Sequence, residues 1–135
     1  LIHKKKIRSV LPLIDQNIFK LDTAIESTFL RLNKPAPGIT LHAIIENLAD
    51  WEGQKTMQTM LVKGRGEYRD IDNTTPEEIN ALVGAYRLID PGSVMIYTFE
   101  RDTPVDKLLV KPGRETLLSI GSRLLEEGFK VEVIL

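Results

Sequence analysis

Apolar residues recur along this chain in two rhythms. Residues 18–22, 55–62, 93–99 and 129–134 are short runs rich in Ile, Val, Met, Phe and Tyr, bounded by turn formers such as Asn17, Gly92 and Gly128. That is the pattern of strands. Between them the spacing lengthens to three and four: Ile25, Phe29 and Leu32; Leu41, Ile44, Ile45 and Leu48; Ile79, Leu82, Val83, Tyr86 and Ile89; Leu117, Ile120 and Leu124. These sets predict amphipathic helices over residues 24–32, 40–51, 75–89 and 114–127. A further helix is predicted over residues 3–11, where Ile7, Val10 and Leu11 share a face and Pro12 forces an end.

Boundary residues support the same elements. Thr40 is placed to cap the helix that follows it, with Gly53 near its C-terminal end. Thr75-Pro76-Glu77-Glu78 supplies a complete helix start, with Thr75 as N-cap, Pro76 in the first turn and Glu78 positioned to close a capping box. Asn33-Lys34-Pro35-Ala36-Pro37-Gly38, Asp90-Pro91-Gly92 and Gly128 are breakers.

The resulting order is α-β-α-α-β-α-β-α-β with no hairpin signal. It predicts an α/β fold whose βα units form a parallel sheet with right-handed crossovers. Such a sheet is either a complete small open domain or the C-terminal half of a partial, TIM-like (β/α)6 barrel, and periodicity does not separate the two. In both, chemistry belongs beyond the C-terminal ends of the strands. Those ends are Asp22 and Thr23, residues 62–74 and residues 98–104, and the two longest polar loops fall there. In a half-barrel, strand 18–22 lacks a neighbour on one side, so self-association through that edge is expected.

Composition narrows the classes. The 135 residues suit one domain, 1–135, and the net charge of −1 offers no basic field for nucleic acid. Lys4, Lys5, Lys6 and Arg8 form the densest basic cluster and are taken as the solvated face of the first helix. No apolar run is long enough to span a membrane and no signal-peptide pattern is present, so a cytoplasmic protein is expected. With no cysteine, the chain supplies no disulfide, zinc thiolate, cysteine nucleophile or thiolate-held iron–sulfur cluster. Two histidines, His3 and His42, are too scattered for a metal site. Leu1 in place of a start methionine suggests a processed product or a piece of something longer.

Several polar residues then stand out. Asp22, at a strand end, can accept hydrogen bonds from a ribose or an ammonium group, cap the next helix, or pair with Lys20 two residues away on the same face. Gln58 sits mid-strand on the side shared by Thr56 and Met60, which is unusually polar for a core. That side is expected to face a wet, ligand-filled interior, the alternative being exposure on an edge strand. Lys63 and Arg65 flank a glycine turn and offer some attraction for anions, Asp70, Asp72 and Asn73 have some calcium-loop flavour, and Glu100 and Arg101 could orient a substrate.

Particular strings also occur in a recognisable order. They are Phe19-Lys20-Leu21-Asp22, Asn33 with Pro37-Gly38-Ile39-Thr40, Gln58-Thr59-Met60 with Asp72-Asn73-Thr74-Thr75, and Val94-Met95-Ile96-Tyr97-Thr98 with Arg101-Asp102-Thr103-Pro104. Together they resemble the C-terminal half of radical S-adenosylmethionine (SAM) proteins, in the iron–sulfur oxidoreductase branch related to the wybutosine and molybdenum-cofactor enzymes. The resemblance covers essentially the whole chain. It implies a partial (β/α)6 barrel with SAM and a [4Fe–4S] cluster at its C-terminal mouth, in which residues 18–22, 55–62 and 93–99 are the fourth, fifth and sixth strands. It places Asp22 near the SAM ribose or methionyl group, Gln58 against SAM, and the backbone of Met95, Ile96 and Tyr97 beside the adenine, with Lys20, Lys63, Glu100 and Arg101 on the substrate side. The family's CxxxCxxC cluster loop and glycine-rich GGE-type segment are absent. The resemblance therefore implies a fragment that retains neither cofactor alone, is inactive by itself, and needs the N-terminal half of the same protein as its partner. The competing readings are a complete α/β module for a nucleotide-like or anionic ligand, and an interaction domain without catalysis.

Overall fold

The apolar rhythms resolve, in a computed structural model that describes residues 17–65, 68–99 and 109–135, into ten elements. In chain order these are β1 (Ile18–Lys20), α1 (Glu26–Asn33), α2 (Leu41–Asp50), β2 (Thr56–Met60), β3 (Lys63–Gly64), α3 (Pro76–Ile89), β4 (Ser93–Tyr97), β5 (Leu109–Val110), α4 (Arg114–Glu126) and β6 (Val131–Val133). The helix expected over residues 3–11, with Lys4, Lys5, Lys6 and Arg8, lies outside the described residues, as do Glu100 and Arg101.

Four strands form one parallel sheet in the order β1-β2-β4-β6. They end one or two residues short of the runs in the sequence, although Leu21 N–H still donates to Gln58 O and Leu61 N–H to Tyr97 O just past the strand ends. Each new strand is added on the same side of the last. With right-handed crossovers this winding sends every connecting helix to one face. A doubly wound sheet would reverse its order and be covered on both faces. Burial agrees: Met57, Thr59, Val94 and Ile96 are fully buried, while Thr56, Gln58, Met60, Ser93, Met95 and Tyr97 are partly exposed. The sheet is thus wound like a barrel wall, with the described helices on one face and none of them on the other.

The covered face is closed mainly by α3, whose Ile79, Leu82, Val83, Tyr86 and Ile89 are all buried. Tyr86 anchors it. Thr59 Oγ1 donates to Leu21 O at 2.6 Å, which leaves the Tyr86 hydroxyl to donate to Thr59 in a short bond. The ring packs edge-on against Phe129 at 5.6 Å. Burial pushes the phenol's pKa well above its ordinary value, outweighing the opposing bond to Thr59, so the ring stays neutral.

The helix starts match their signals in part. Thr40 Oγ1 accepts from Ala43 N–H at 3.1 Å and Thr75 Oγ1 from Glu78 N–H at 3.2 Å. The Glu78 side chain, however, does not return to close a capping box. It is buried and accepts 2.6 Å bonds from the hydroxyls of Thr23 and Thr28, tying α3 to the segment after β1. At the opposite edge, buried Lys55 donates to Leu48 O at 2.9 Å and Ile89 O at 2.5 Å, so one ammonium joins the C-terminal ends of α2 and α3. Desolvation lowers its pKa, against the attraction of Asp90 and Asp50.

One feature departs from the expected pattern. β3 and β5 pair antiparallel, Lys63 opposite Val110 and Gly64 opposite Leu109, as a small ribbon beyond the end of β2 where only loops were expected. Gly64 permits the tight return that follows, since a Cβ there would lie 1.7 Å from Tyr68 O.

Candidate functional site: the uncovered sheet face and its C-terminal mouth

Parallel register turns the bare face into rows of side chains. Ile18, Thr56 and Ser93 form one; Lys20, Gln58, Met95 and Glu132 the next; Met60 and Tyr97 the third, nearest the C-terminal edge. Thr56 and Ser93 share a hydrogen bond at 3.0 Å. Gln58 Nε2 reaches only Met95 Sδ at 3.5 Å, a soft acceptor. The centre of the face therefore presents a carboxamide and a thioether beside a half-exposed tyrosine. β2 lies between β1 and β4, so Gln58 does not belong to an edge strand.

At the end of β1 a polar knot fixes the mouth. The Asp22 carboxylate is buried; Oδ1 accepts from Met60 N–H at 2.9 Å, and Oδ2 lies 3.4 Å from Lys20 Nζ and 3.5 Å from Asn33 Nδ2. Of the roles open to it in the sequence, the ion pair with Lys20 is made and the helix cap is not. Asn73 completes the knot: its Nδ2 donates to Asp22 O and Met60 O, both at 2.8 Å, and its Oδ1 accepts from Val62 N–H at 2.8 Å. A single buried carboxamide thus stitches the ends of β1 and β2 to the long loop. The calcium flavour of this stretch has a plainer origin, since Asp72 Oδ1 accepts from the backbone and hydroxyl of Thr74. Among the described residues no acidic, His or Cys cluster could hold a metal ion.

Beyond β2 and β4 the face opens into a cavity of about 830 Å³, with Gln58, Met60, Tyr97 and Thr98 in its lining. This lies within the size range of small-molecule sites, which runs to roughly 1,000 Å³. Thr98 is in that lining, but its Oγ1 is shielded from solvent and has no hydrogen-bond partner.

The candidate residues are distributed unevenly around this mouth. Gln58 and Tyr97 line the cavity, and Met95 lies beside Gln58 on the same face. Ile96 points to the other side, into the core; its carbonyl accepts from Ile134 N–H at 2.9 Å. Asp22 and Lys20 stand at the neighbouring strand end, and Lys63 sits on the ribbon, bridged to Asp72. Asn73 acquires its role only in three dimensions, because its partners come from other segments.

The sequence matches no protein-family model and no curated protein. Solved structures do match. The chain superposes on a domain of pyruvate-formate lyase-activating enzyme from Bacteroides vulgatus ATCC 8482 with a TM-score of 0.71 at 10% identity, covering 98% of this chain and 75% of that one. It superposes on a radical SAM methyltransferase from Sphaerobacter thermophilus with a TM-score of 0.67 at 13% identity, covering 99% of this chain and 38% of that one. The likeness is one of fold. The chain spans only part of each of those proteins.

Proposed function

We propose that this chain is the C-terminal wall of a radical SAM barrel, supplying SAM- and substrate-facing strand ends to a longer protein. The observation that carries the reading is the bare, polar face of a parallel sheet. Parallel sheets are ordinarily covered on both faces, and here one side leaves Gln58, Met95 and Tyr97 partly exposed with no described helix over them. A face of this kind is complete only when the rest of a barrel and its ligands close over it. The outer edges of β1 and β6 are where missing strands would attach, and self-association through β1 would serve the same purpose in the isolated chain.

The two cofactors fit this chain differently. A [4Fe–4S] cluster does not fit, because the sequence has no cysteine thiolate to ligate it. SAM does fit the residues present: Gln58 offers a carboxamide, Met95 and Tyr97 a soft and an aromatic surface, and the Lys20–Asp22 pair a charged neighbour at the mouth. SAM, when reduced by a cluster, supplies the radical that starts the chemistry. This chain's residues bind and orient: the covered face holds the strands rigid, and the Asp22–Asn73 knot fixes their ends. Lys63, Glu100 and Arg101 are assigned to the substrate side and the branch related to the wybutosine and molybdenum-cofactor enzymes is the one proposed.

The decisive experiment extends the protein upstream. Anaerobically reconstituted longer protein should form 5′-deoxyadenosine from SAM under reducing conditions, while the purified 135-residue chain should form none. An upstream sequence without three cysteines in CxxxCxxC spacing, or SAM cleavage by this chain alone, overturns the reading. No described helix is long and apolar enough to cross a membrane.

A further inference from the structure

Sulfur enters this chain only as thioether: it has three methionines and no cysteine. All three lie on neighbouring strands, Met57 and Met60 on β2 and Met95 on β4. Their surroundings differ. Met57 points into the covered face and is 0% exposed, whereas Met60 and Met95 stand on the other face and are partly open. Oxidants reach methionine sulfur according to its exposure, so the fold itself sorts the three into one protected thioether and two reachable ones.

What distinguishes Met95 is the group it touches. Its sulfur accepts from Gln58 Nε2 at 3.5 Å, the hydrogen bond that this carboxamide makes among the described residues. A thioether is a weak acceptor, so the N–H is held loosely and is easily given over to a ligand. Oxidation turns the apolar side chain into a polar one, and a sulfoxide oxygen is a strong acceptor. Added to the Met95 sulfur, that oxygen stands within reach of the same N–H. On its other side Met95 is in register with Glu132, whose ionised carboxylate has no proton to donate to the oxygen and repels it. Capture by Gln58 is the outcome the neighbours favour.

We propose that Met95 is an oxidation site on the ligand face: hydrogen peroxide transfers an oxygen atom to its sulfur, and the sulfoxide then holds the Gln58 carboxamide away from other partners. The sulfur gives up an electron pair and gains the S–O bond. The O–O bond of the peroxide breaks, and its other oxygen leaves with both protons as water. That the captured carboxamide is one that SAM needs rests on the radical SAM reading above; the oxidation and the capture do not.

Hydrogen peroxide added to the folded 135-residue chain, followed by peptide mapping and by NMR of the Gln58 side-chain amide, tests the site. Met95 should be converted at least about tenfold faster than Met57, which reacts only when the sheet opens. The Gln58 amide protons should move downfield as the sulfoxide forms. Met60→Leu, a swap of nearly equal volume, leaves Met95 as the reachable sulfur and should show the same movement, whereas Met95→Leu should show none. Met57 reacting as fast as Met95, a Gln58 amide that does not move, or one that moves equally in Met95→Leu each overturns the proposal. In the longer protein, peroxide treatment followed by re-reduction of its thiols with dithiothreitol and anaerobic reconstitution should raise the SAM concentration for half-maximal 5′-deoxyadenosine formation several-fold, and Met95→Leu should abolish that rise. An unchanged SAM dependence overturns the effect on SAM. Failure of the untreated longer protein to cleave SAM overturns the radical SAM reading and leaves the oxidation site standing.

Discussion

On the covered face of the sheet, Met57, Thr59, Val94 and Ile96 are shut away from solvent, whereas Thr56, Gln58, Ser93 and Met95, each one residue away, are partly open. Both sets hang from the same parallel ladders. The covered set is apolar apart from Thr59, whose hydroxyl is satisfied by Leu21 O and Tyr86. The open set carries polar groups whose bonding is incomplete, such as Gln58 against a thioether. Period-two alternation thus divides labour at the finest scale available to a strand: one side supplies folding energy, and the next residue is left partly open.

The largest effect should come from testing adjacent residues against each other. Ile96→Ala removes buried methylenes and leaves a cavity, so urea denaturation should show a loss of about 2–5 kcal/mol. Met95→Ala, on the open face, should stay within about 0.5 kcal/mol. An equal loss at both positions would mean that the open face is packed in solution, as it would be if the chain self-associated over it, and the comparison would break.

Glu78 belongs to the covered side by burial but to the polar side by chemistry. Glu78→Ala strands the hydroxyls of Thr23 and Thr28 and should cost at least about 3 kcal/mol, since bonds to a charged acceptor contribute about 1.5–3 kcal/mol each. Thr75→Ala, which removes only the cap, should cost about 1 kcal/mol. Were the two losses equal, the carboxylate would be acting as a local cap after all.

That pair also marks what could be read from the sequence. Thr75-Pro76 and the spacing from Ile79 to Ile89 are local, and they placed α3 to within a residue or so. The parallel arrangement followed from strands alternating with helices. The partners of the Glu78 carboxylate lie 50 and 55 residues away, and nothing within one helical turn reveals them. The β3–β5 ribbon was invisible for a related reason: two residues per strand carry no periodicity, and Lys63 and Gly64 find their partners, Val110 and Leu109, in a distant segment. Gln58 was legible as a polar residue in an apolar strand.

High pH should separate two buried titratable groups of the covered side. Tyr86 keeps its proton in the folded state beyond the ordinary phenol pKa of 10. Above pH 10 the unfolded chain loses that proton first, so stability should fall by up to about 1.4 kcal/mol per pH unit, and Tyr86→Phe should remove this slope. Lys55 acts oppositely. Its folded pKa lies below 10.5, so the unfolded chain binds the extra proton, and stability should rise with pH between the lowered value and 10.5. A wild-type profile that passes through a maximum on the alkaline side, and a Lys55→Met profile that lacks the rise, would separate the two groups. A profile flat across this range in both proteins would show that neither burial survives in solution.

The smallest expected change in stability is the one that matters most for function. Gln58→Ala removes a carboxamide whose donor contact is with Met95 sulfur, and the side chain is already partly open, so the fold should lose less than about 0.5 kcal/mol. In the longer reconstituted protein the same substitution should raise the SAM concentration needed for half-maximal 5′-deoxyadenosine formation several-fold, because a hydrogen bond to a bound ligand contributes about 0.5–1.5 kcal/mol. Thr59→Ala, one residue along, should reverse the pattern: it deprives Leu21 O and the Tyr86 hydroxyl of their partner and should lower the unfolding temperature, with little change in SAM dependence at a temperature where the variant is folded. If Gln58→Ala destabilised the chain while Thr59→Ala changed SAM dependence, the two faces would have exchanged roles, and the assignment of the bare face to a ligand would fail.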